Sequence, residues 1–535
     1  MTEKNAAKSE TKPPQGLLRS TFVVSSMTLM SRFTGLARDV VFSRWFGASP
    51  LMDAFFIAFK IPNLFRRFFA EGAFSAAFVP VFSEYRATKT PEATKELLDR
   101  VTGTLGLLLF GFTALGVIAS PVLIMIFAPG FLDGDGRYEL SRNMLRLTFP
   151  YLFFISLTAL AGAILNAYRN FAVPAFTPVL LNLVLISFAG WVAPRLDNPG
   201  AGLAAGVFVA GLVQLLFQLP FLIKIKLLPV PRWGWTYPGV RKILKLMMPV
   251  IFGSSVAQIN ILFDTLIASF LAAGSISWLY YSDRLMEFPL GVLGVALATV
   301  ILPTLSEQHA KASKEAFSAT LDWALRLVFV FALPASLGLI VLAQPLLITI
   351  FYGGEFTDFD VNMATAPLIA YAMGILGFIL VKVLTPGYFS RQDTRTPVRI
   401  GIYSLLLNMM LNVIFVLGLI RGDFYAPHAG LAIATTVSAL FNASLLYKGL
   451  VVGGFFQPRP GWGKLMGQVI LACISMVLSV YFLQGIFGDW LQLSSFERIG
   501  SLLVCVSAGI AVYLAVCFML GLRFRSLRQI RHLDL

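Results

Sequence analysis

The sequence predicts an all-α polytopic membrane protein with about fourteen transmembrane helices, on three observations. Hydrophobic residues make up 57% of the 535-residue chain and charged residues 13%, with a mean hydropathy of +0.79, the composition of a chain whose solvent is largely lipid. Apolar runs of about 20 residues recur from end to end, and each is long enough to cross the hydrocarbon as a helix. Basic residues crowd into alternate loops, the signature of a fixed topology.

Taken in order, residues 1–20 carry Lys4, Lys8, Lys12 and the Pro13-Pro14 pair and are expected to form a disordered cytoplasmic tail. The apolar run that follows is too long for a signal peptide and lacks a small-residue cleavage site. The first six expected spans are 22–47, 53–82, 102–128, 144–166, 175–194 and 202–224. The next six are 242–272, 277–304, 322–351, 363–387, 399–420 and 429–451, followed by 465–488 and 498–521. One set of loops holds residues 86–100, 168–169, 224–245, 309–314, 391–399 and 459–464, and is richly basic. The opposite set holds 49–50, 133–142, 197–198, 273–274, 355–360, 421–423 and 489, and is neutral to acidic. Positive charge stays on the cytoplasmic side, so both termini are expected there, in agreement with an even number of spans. The same rule accounts for the net charge of +15, and no nucleic-acid partner is implied. Cys473, Cys505 and Cys517 lie within apolar helices and read as packing residues. His309, His428 and His532 have no ligand spacing.

An internal repeat organises the chain. Phe78-Val79-Pro80-Val81-Phe82-Ser83-Glu84 resembles Ile301-Leu302-Pro303-Thr304-Leu305-Ser306-Glu307, and Leu180 to Asn182 resembles Leu406 to Asn408, both at nearly the same long spacing. The expected domains are an N-lobe over 21–226 (spans 1–6), a C-lobe over 227–455 (spans 7–12), a helical pair over 456–522 and a basic tail over 523–535. Halves with even span counts are parallel repeats.

Charges within the apolar spans carry the functional reading. Spans 1 and 2 contain Arg32, Arg38, Asp39, Asp53, Lys60, Arg66, Arg67 and Glu71. Each charge at bilayer depth costs roughly 2.5–3.5 kcal/mol, so such residues face a bundle interior or a wet cavity. Arg32 and Arg38 are six residues apart, and Gly35 between them offers a place for local unwinding or a kink. Pro62 and Pro289 are expected to bend spans 2 and 8. Span 8 carries Asp283, Arg284 and Glu287, with the two carboxylates on one face. The candidate cargo-binding set is Arg32, Arg38, Arg66 and Arg284, because planar guanidinium forks suit a diphosphate. Asp39, Asp53, Asp283 and Glu287 are their candidate partners. Arg67 reads as a snorkelling residue. A second constellation joins Asp264 in span 7, Asn408 and Asn412 at i,i+4 in span 11, and Thr435 in span 12. Hard oxygens from several helices suit a small cation such as sodium, and equally suit an interhelical polar clasp.

No P-loop, no His-Glu-x-x-His and no Gly-x-Ser-x-Gly stands in the sequence. The expectation is a transporter, not an enzyme, without an organic cofactor and driven by an ion gradient, by membrane potential or by cargo consumption.

Specific strings carry a family resemblance. Val24-Ser25-Ser26-Met27-Thr28, Ser31-Arg32, Ala37-Arg38-Asp39 and Asp53-Ala54-Phe55-Phe56 resemble the start of MurJ (MviN) lipid II flippases. Pro62 to Arg67, Ala70 to Ser75, Tyr281 to Pro289 and Tyr388 to Asp393 extend the likeness along nearly the whole chain. The resemblance implies the multidrug/oligosaccharidyl-lipid/polysaccharide exporter fold, with two six-helix lobes and two added helices forming a groove for a lipid tail. It implies lipid II as cargo, moved from the inner to the outer leaflet of the bacterial cytoplasmic membrane for peptidoglycan synthesis. Other partners it implies are membrane lipids and the cell-wall synthesis machinery. The family's cavity arginines fall on Arg32, Arg38, Arg66 and Arg284. Its gate carboxylates fall on Asp53, Asp283 and Glu287, with Asp39 beside Arg38. A sodium site of some members falls on Asp264, Asn408 and Asn412. The alternative cargo is another lipid-linked oligosaccharide or anionic amphiphile.

Overall fold

The computed structural model describes residues 15–67 and 73–522. Expectations for Glu71, for residues 1–14 and for the 523–535 tail therefore lie outside the described residues. The elements within them are helical, apart from a single isolated bridge between Gly353 and Phe356. In chain order the helices are α1 (Gln15–Phe46), α2 (Pro50–Arg66), α3 (Ala73–Thr88), α4 (Pro91–Ile118), α5 (Ser120–Phe127), α6 (Arg137–Thr148) and α7 (Tyr151–Ala167). They continue with α8 (Ala172–Ser187), α9 (Pro199–Lys224), α10 (Pro238–Ser269), α11 (Ser275–Pro289), α12 (Val295–Ala310) and α13 (Lys314–Val341). The last six are α14 (Ala343–Ile350), α15 (Asp358–Phe389), α16 (Arg395–Arg421), α17 (Ala429–Val452), α18 (Trp462–Phe487) and α19 (Ser495–Met519).

Among the described residues, 11 helical stretches are long and apolar enough to cross a membrane. The expected count of fourteen is thus not reached by length and composition. The three spans outside that count lie on α1, on α2 with α3, and on α10. These are the helices that carry Arg32, Arg38, Asp53, Arg66 and Asp264. Span 8 is α11 and α12, joined after Pro289 by a π turn over Leu290–Gly294. Pro289 has no N–H to give the Leu285 carbonyl, and the α-helical pattern passes into this wider turn directly after it. At Gly35, in contrast, α1 runs on without interruption, so the unwinding expected there is not seen.

The chain divides into two compact units. The first comprises Met1–Phe42, Ala58–Leu123 and Glu139–Ser254, the second Ser43–Ile57, Ile124–Tyr138 and Ser255–Leu535. This division departs from the expected lobes at 21–226 and 227–455, because two short segments of the first half belong to the second unit and α10 is shared. In the first unit, Phe74, Phe78 and Phe82 stack along one face of α3 with ring centroids 5.1 and 5.2 Å apart, as i,i+4 spacing allows. They pack with Leu97, Val101, Ile164 and Leu222 in a continuous apolar core. In the second unit α15 packs on α11, α13 and α17. Helices α18 and α19 pair with each other and lie on α13 and α14.

The repeat is legible in the helix boundaries. Helices α4 and α13 have 28 residues each and follow a capping Thr90 or Ser313, and α5 and α14 have eight each. All these positions recur at one constant offset along the chain, and the starts of α8 and α16 keep the same offset. Leu180 to Asn182 and Leu406 to Asn408 lie slightly farther apart than that, so those two strings sit about one helical turn out of register.

Candidate functional site

In the first unit, Arg38 is 6% exposed and Asp39 is fully buried. Arg38 Nε and Nη2 donate to Asp39 Oδ1 at 3.0 and 2.7 Å, and Nη1 donates to Asn182 Oδ1 at 3.1 Å. Asn182 Nδ2 in turn donates to Thr34 Oγ1 and to the Ser31 carbonyl, each at 3.1 Å. The guanidinium stands 5.6 Å from the Phe42 ring centroid. A buried charge must be paired and hydrogen-bonded, and α1 and α8 meet that demand together. Arg32, one and two-thirds turns earlier, is exposed, and Arg66 is half-buried at the end of α2. Arg38 is therefore held by protein groups while Arg32 is left exposed, as six residues on a straight helix place the two on different faces.

In the second unit, Asp53 is fully buried and caps α11. Its Oδ2 accepts from Gly274 N at 2.7 Å, and its Oδ1 accepts from Ser277 N at 2.9 Å and Ser277 Oγ at 2.6 Å. A carboxylate at a helix N-terminus satisfies orphan N–H groups and complements the dipole. Gly274 has φ of 96°, and a Cβ there would stand 2.7 Å from the Trp278 ring, so only glycine makes this turn comfortably. Arg137 Nη1 stands 3.7 Å from Asp53 Oδ2, and the guanidinium also lies 4.4 Å from the Phe131 ring centroid. The carboxylate expected to pair with a cargo-binding arginine thus pairs with Arg137, at the start of α6.

The cap continues outward. Trp278 Nε1 donates to Asp360 Oδ1 at 2.8 Å, and the same aspartate closes a reciprocal capping box with Thr357 at the start of α15. His428, just ahead of α17, lies against Trp278 with centroids 5.0 Å apart and contacts the Met363 carbonyl at 2.9 Å. Burial pushes its pKa down to about 4, opposed by that backbone contact. Arg137, Asp360 and His428 escape sequence reasoning. The Thr357-x-x-Asp360 spacing signals a helix start, but nothing local signals what Asp360 meets.

Arg284 Nη1 pairs with Glu287 Oε2 at 3.2 Å across one turn of α11. Asp283, just before Arg284 in α11, is half-buried. Asn412 Nδ2 donates to Asp264 Oδ1 at 2.6 Å and to Asn408 Oδ1 at 3.0 Å. Turned over, the Asn408 amide nitrogen would reach Asn260 Oδ1 at 2.8 Å and Asp264 Oδ1 at 3.2 Å. The Asn408 amide end, Asn260 Oδ1 and Asp264 Oδ1 therefore converge, while Asn412 Oδ1 is buried without a hydrogen-bond partner. Thr435 Oγ1 lies 3.4 Å from Asn408 Nδ2. A cluster of hard oxygens with one carboxylate and one unsatisfied amide oxygen fits a small monovalent cation. The structure thus brings Asp264, Asn408, Asn412 and Thr435 together and adds Asn260, one turn from Asp264. The three cysteines are free and buried.

Comparison with known proteins gives a consistent result. The family described as lipid II flippase MurJ matches residues 42–500. A probable lipid II flippase MurJ of Vibrio cholerae serotype O1 is 48% identical over 519 residues, covering 96% of this chain and 98% of that protein. The lipid II flippase MurJ of Burkholderia cenocepacia is 41% identical over 520 residues, covering 96% and 99%. A solved lipid II flippase MurJ in an inward closed conformation aligns with a TM-score of 0.76 at 28% identity, covering 95% of this chain and all of that one. An inward-facing multidrug transporter of the MATE family shares the fold, with a TM-score of 0.64 at 15% identity over 81% of this chain.

Proposed function

The chain belongs to the MurJ family of lipid II flippases, and from that premise we propose how its own residues move the cargo. It is a multi-pass membrane protein that flips lipid II. The observation that carries this reading is 48% identity sustained over 96% of the chain with a probable lipid II flippase. Arg32, Arg66 and Arg284 bind the diphosphate of the lipid, since guanidinium groups donate paired hydrogen bonds to phosphoryl oxygens. Arg38 joins them only when its bonds to Asp39 and Asn182 open. Asp39 is thus the residue that withholds this charge, and Glu287 does the same for Arg284. Asp53, with Arg137 and the start of α11, holds the gate, and Asp283 acts within it. The arginines are presented to the inner leaflet and then to the outer by alternating access, with both chain termini in the cytoplasm of a bacterial inner membrane. The added helices α18 and α19 accommodate the polyprenyl tail, and cell-wall polymerases consume the flipped product.

Asp264, Asn260, Asn408 and Asn412 would hold a sodium ion, with Thr435 at their side. Such an ion supplies positive charge that ties α10 to α16. Membrane potential also acts on the cationic site, since one charge across 100 mV is worth about 2.3 kcal/mol.

The decisive experiment depletes this protein in its host and measures the leaflet that lipid II occupies. Inner-leaflet accumulation, rescued by wild type and not by a normally inserted Arg284→Ala or Arg66→Ala variant, is the expected result. Normal outward lipid II with a defect in another glycolipid would replace the cargo.

A further inference from the structure

Each half of the chain ends in a linker pinned by a buried aspartate. In the first unit, Asp99 of α4 is 5% exposed, and its Oδ1 accepts from Val230 N at 2.8 Å while its carbonyl accepts from Arg232 N at 3.0 Å. Gly234 N donates to Thr104 Oγ1 at 3.0 Å, and Arg100 Nη1 donates to the Trp233 carbonyl at 2.7 Å. Gly103 permits this contact, since a Cβ there would fall 2.3 Å from the Arg232 carbonyl oxygen. In the second unit, Asp322 of α13, the repeat equivalent of Asp99, is 2% exposed. Its Oδ1 accepts from Arg459 N at 3.1 Å and from Trp462 Nε1 at 2.8 Å.

The two linkers then diverge. Trp462 is turned inward, where it serves the aspartate and lies beneath Arg326 at 5.3 Å. The equivalent stretch of the first unit turns Trp233 and Trp235 outward, 53% and 45% exposed, with rings stacked at 6.1 Å and 9°. Leu228 and Val230 are exposed beside them, and so are Lys224, Lys226, Arg232 and Arg241. The neighbouring carboxylates are engaged elsewhere: Glu96 pairs with Arg100, Glu84 with Lys242, and Asp99 with the linker and Lys95. A loop pinned at several points therefore presents two stacked indoles and, along the same stretch of chain, exposed aliphatics and four exposed cations that pair with no carboxylate among the described residues.

We propose that the 224–241 linker is a docking surface for anionic phospholipid headgroups of the leaflet facing the basic loops. Indole rings settle at the headgroup level, and clustered Lys and Arg add electrostatic attraction to anionic lipid. Because the loop is prefolded on α4, it meets the membrane without an ordering cost. The charge complementarity is to a lipid surface; two flat stacked rings give no pocket that would enclose a free phosphate.

The test places the full chain in phosphatidylcholine vesicles with or without phosphatidylglycerol, each containing a lipid brominated near its headgroup, and reads quenching of tryptophan emission. No lipid II is present, so the result is independent of the flippase reading. Phosphatidylglycerol should increase quenching in the wild type, and W233F/W235F should abolish that increase. Each of K226Q and R232Q should weaken the preference about fivefold. Raised salt should relieve it, and inorganic phosphate at matched ionic strength should have no further effect. Lipid II flipping by W233F/W235F in phosphatidylcholine alone should match wild type, which separates a docking defect from misfolding. Equal quenching in both lipids, an increase that survives W233F/W235F, or specific competition by inorganic phosphate would overturn the proposal.

Discussion

Asp53 shows how much one buried side chain can hold. It satisfies Gly274 N, Ser277 N and Ser277 Oγ and faces Arg137. Asp53→Ala removes all four relations at once; Arg137 keeps its closer pair with Asp135, so the loss falls on the orphaned Gly274 and Ser277 donors and costs about 1–3 kcal/mol. Thermal unfolding in detergent should show that loss, with Asp53→Asn less affected because an amide oxygen still accepts. A unit whose start of α11 tolerates Asp53→Ala without a shift would refute the capping role. His428 makes a second prediction at this scale. Its folded pKa of about 4 lies below the ordinary value of 6.5 because of burial. The unfolded chain therefore takes up the proton first as pH falls. Stability should be unaffected above about pH 6.5, fall through the window down to about pH 4, and level off below, for a total on the order of 3 kcal/mol. Comparing melting curves of wild type and His428→Gln across that window isolates the contribution, and a parallel pH response in both proteins would dismiss it. The residue types at Arg32, Arg38, Arg66 and Arg284 were legible as cations in apolar spans. Asp39 was legible as the partner beside Arg38; that Asn182, 144 residues away, completes the clasp and that Arg32 is exposed was not.

At the scale of the element, helix contacts are set by small residues and by amides. A Cβ on Gly430 of α17 would stand 2.9 Å from Val416 N and 3.0 Å from the Phe415 carbonyl carbon of α16. Gly430→Leu should therefore abolish recovery of folded protein, whereas Gly401→Ala in α16, with open space around it, should be neutral or stabilising by up to about 1 kcal/mol. Expression and melting temperature of the two variants check the contrast, and a well-folded Gly430→Leu would contradict the crossing. The α10–α16 cluster gives the ion prediction. If sodium binds the native state, it should stabilise by about 2.7 kcal/mol at a hundredfold excess over Kd, and Asp264→Ala should remove that gain. An unchanged sodium response in Asp264→Ala would retire the site. Helix identity and period were readable from apolar runs. The π turn after Pro289 was foreshadowed by the proline. The continuity of α1 through Gly35 was not, since glycine permits a kink without requiring one.

At the scale of the whole molecule, the repeat was visible as two short string matches, and the helix boundaries give it a single constant offset. The two units are not the two expected lobes. Residues 43–57 and 124–138 belong to the second unit although they lie early in the chain, because their partners, Gly274, Ser277 and Ser269 among them, lie far along it. Sequence by itself determined the helical membrane class, the basic and acidic loop sets, the family and the cations available for an anionic cargo. Those properties reside in composition, period and local strings, which the bilayer and the backbone read one segment at a time. Tertiary structure alone decided that Asn182 completes the clasp on Arg38, that Asp53 caps a distant helix and faces Arg137, that Asn260 joins the Asp264 cluster, and that one linker turns two tryptophans out while the single tryptophan that follows its repeat turns in. Those are pairings between groups far apart in the chain, or the choice of one helical turn over the next, and no local pattern encodes either.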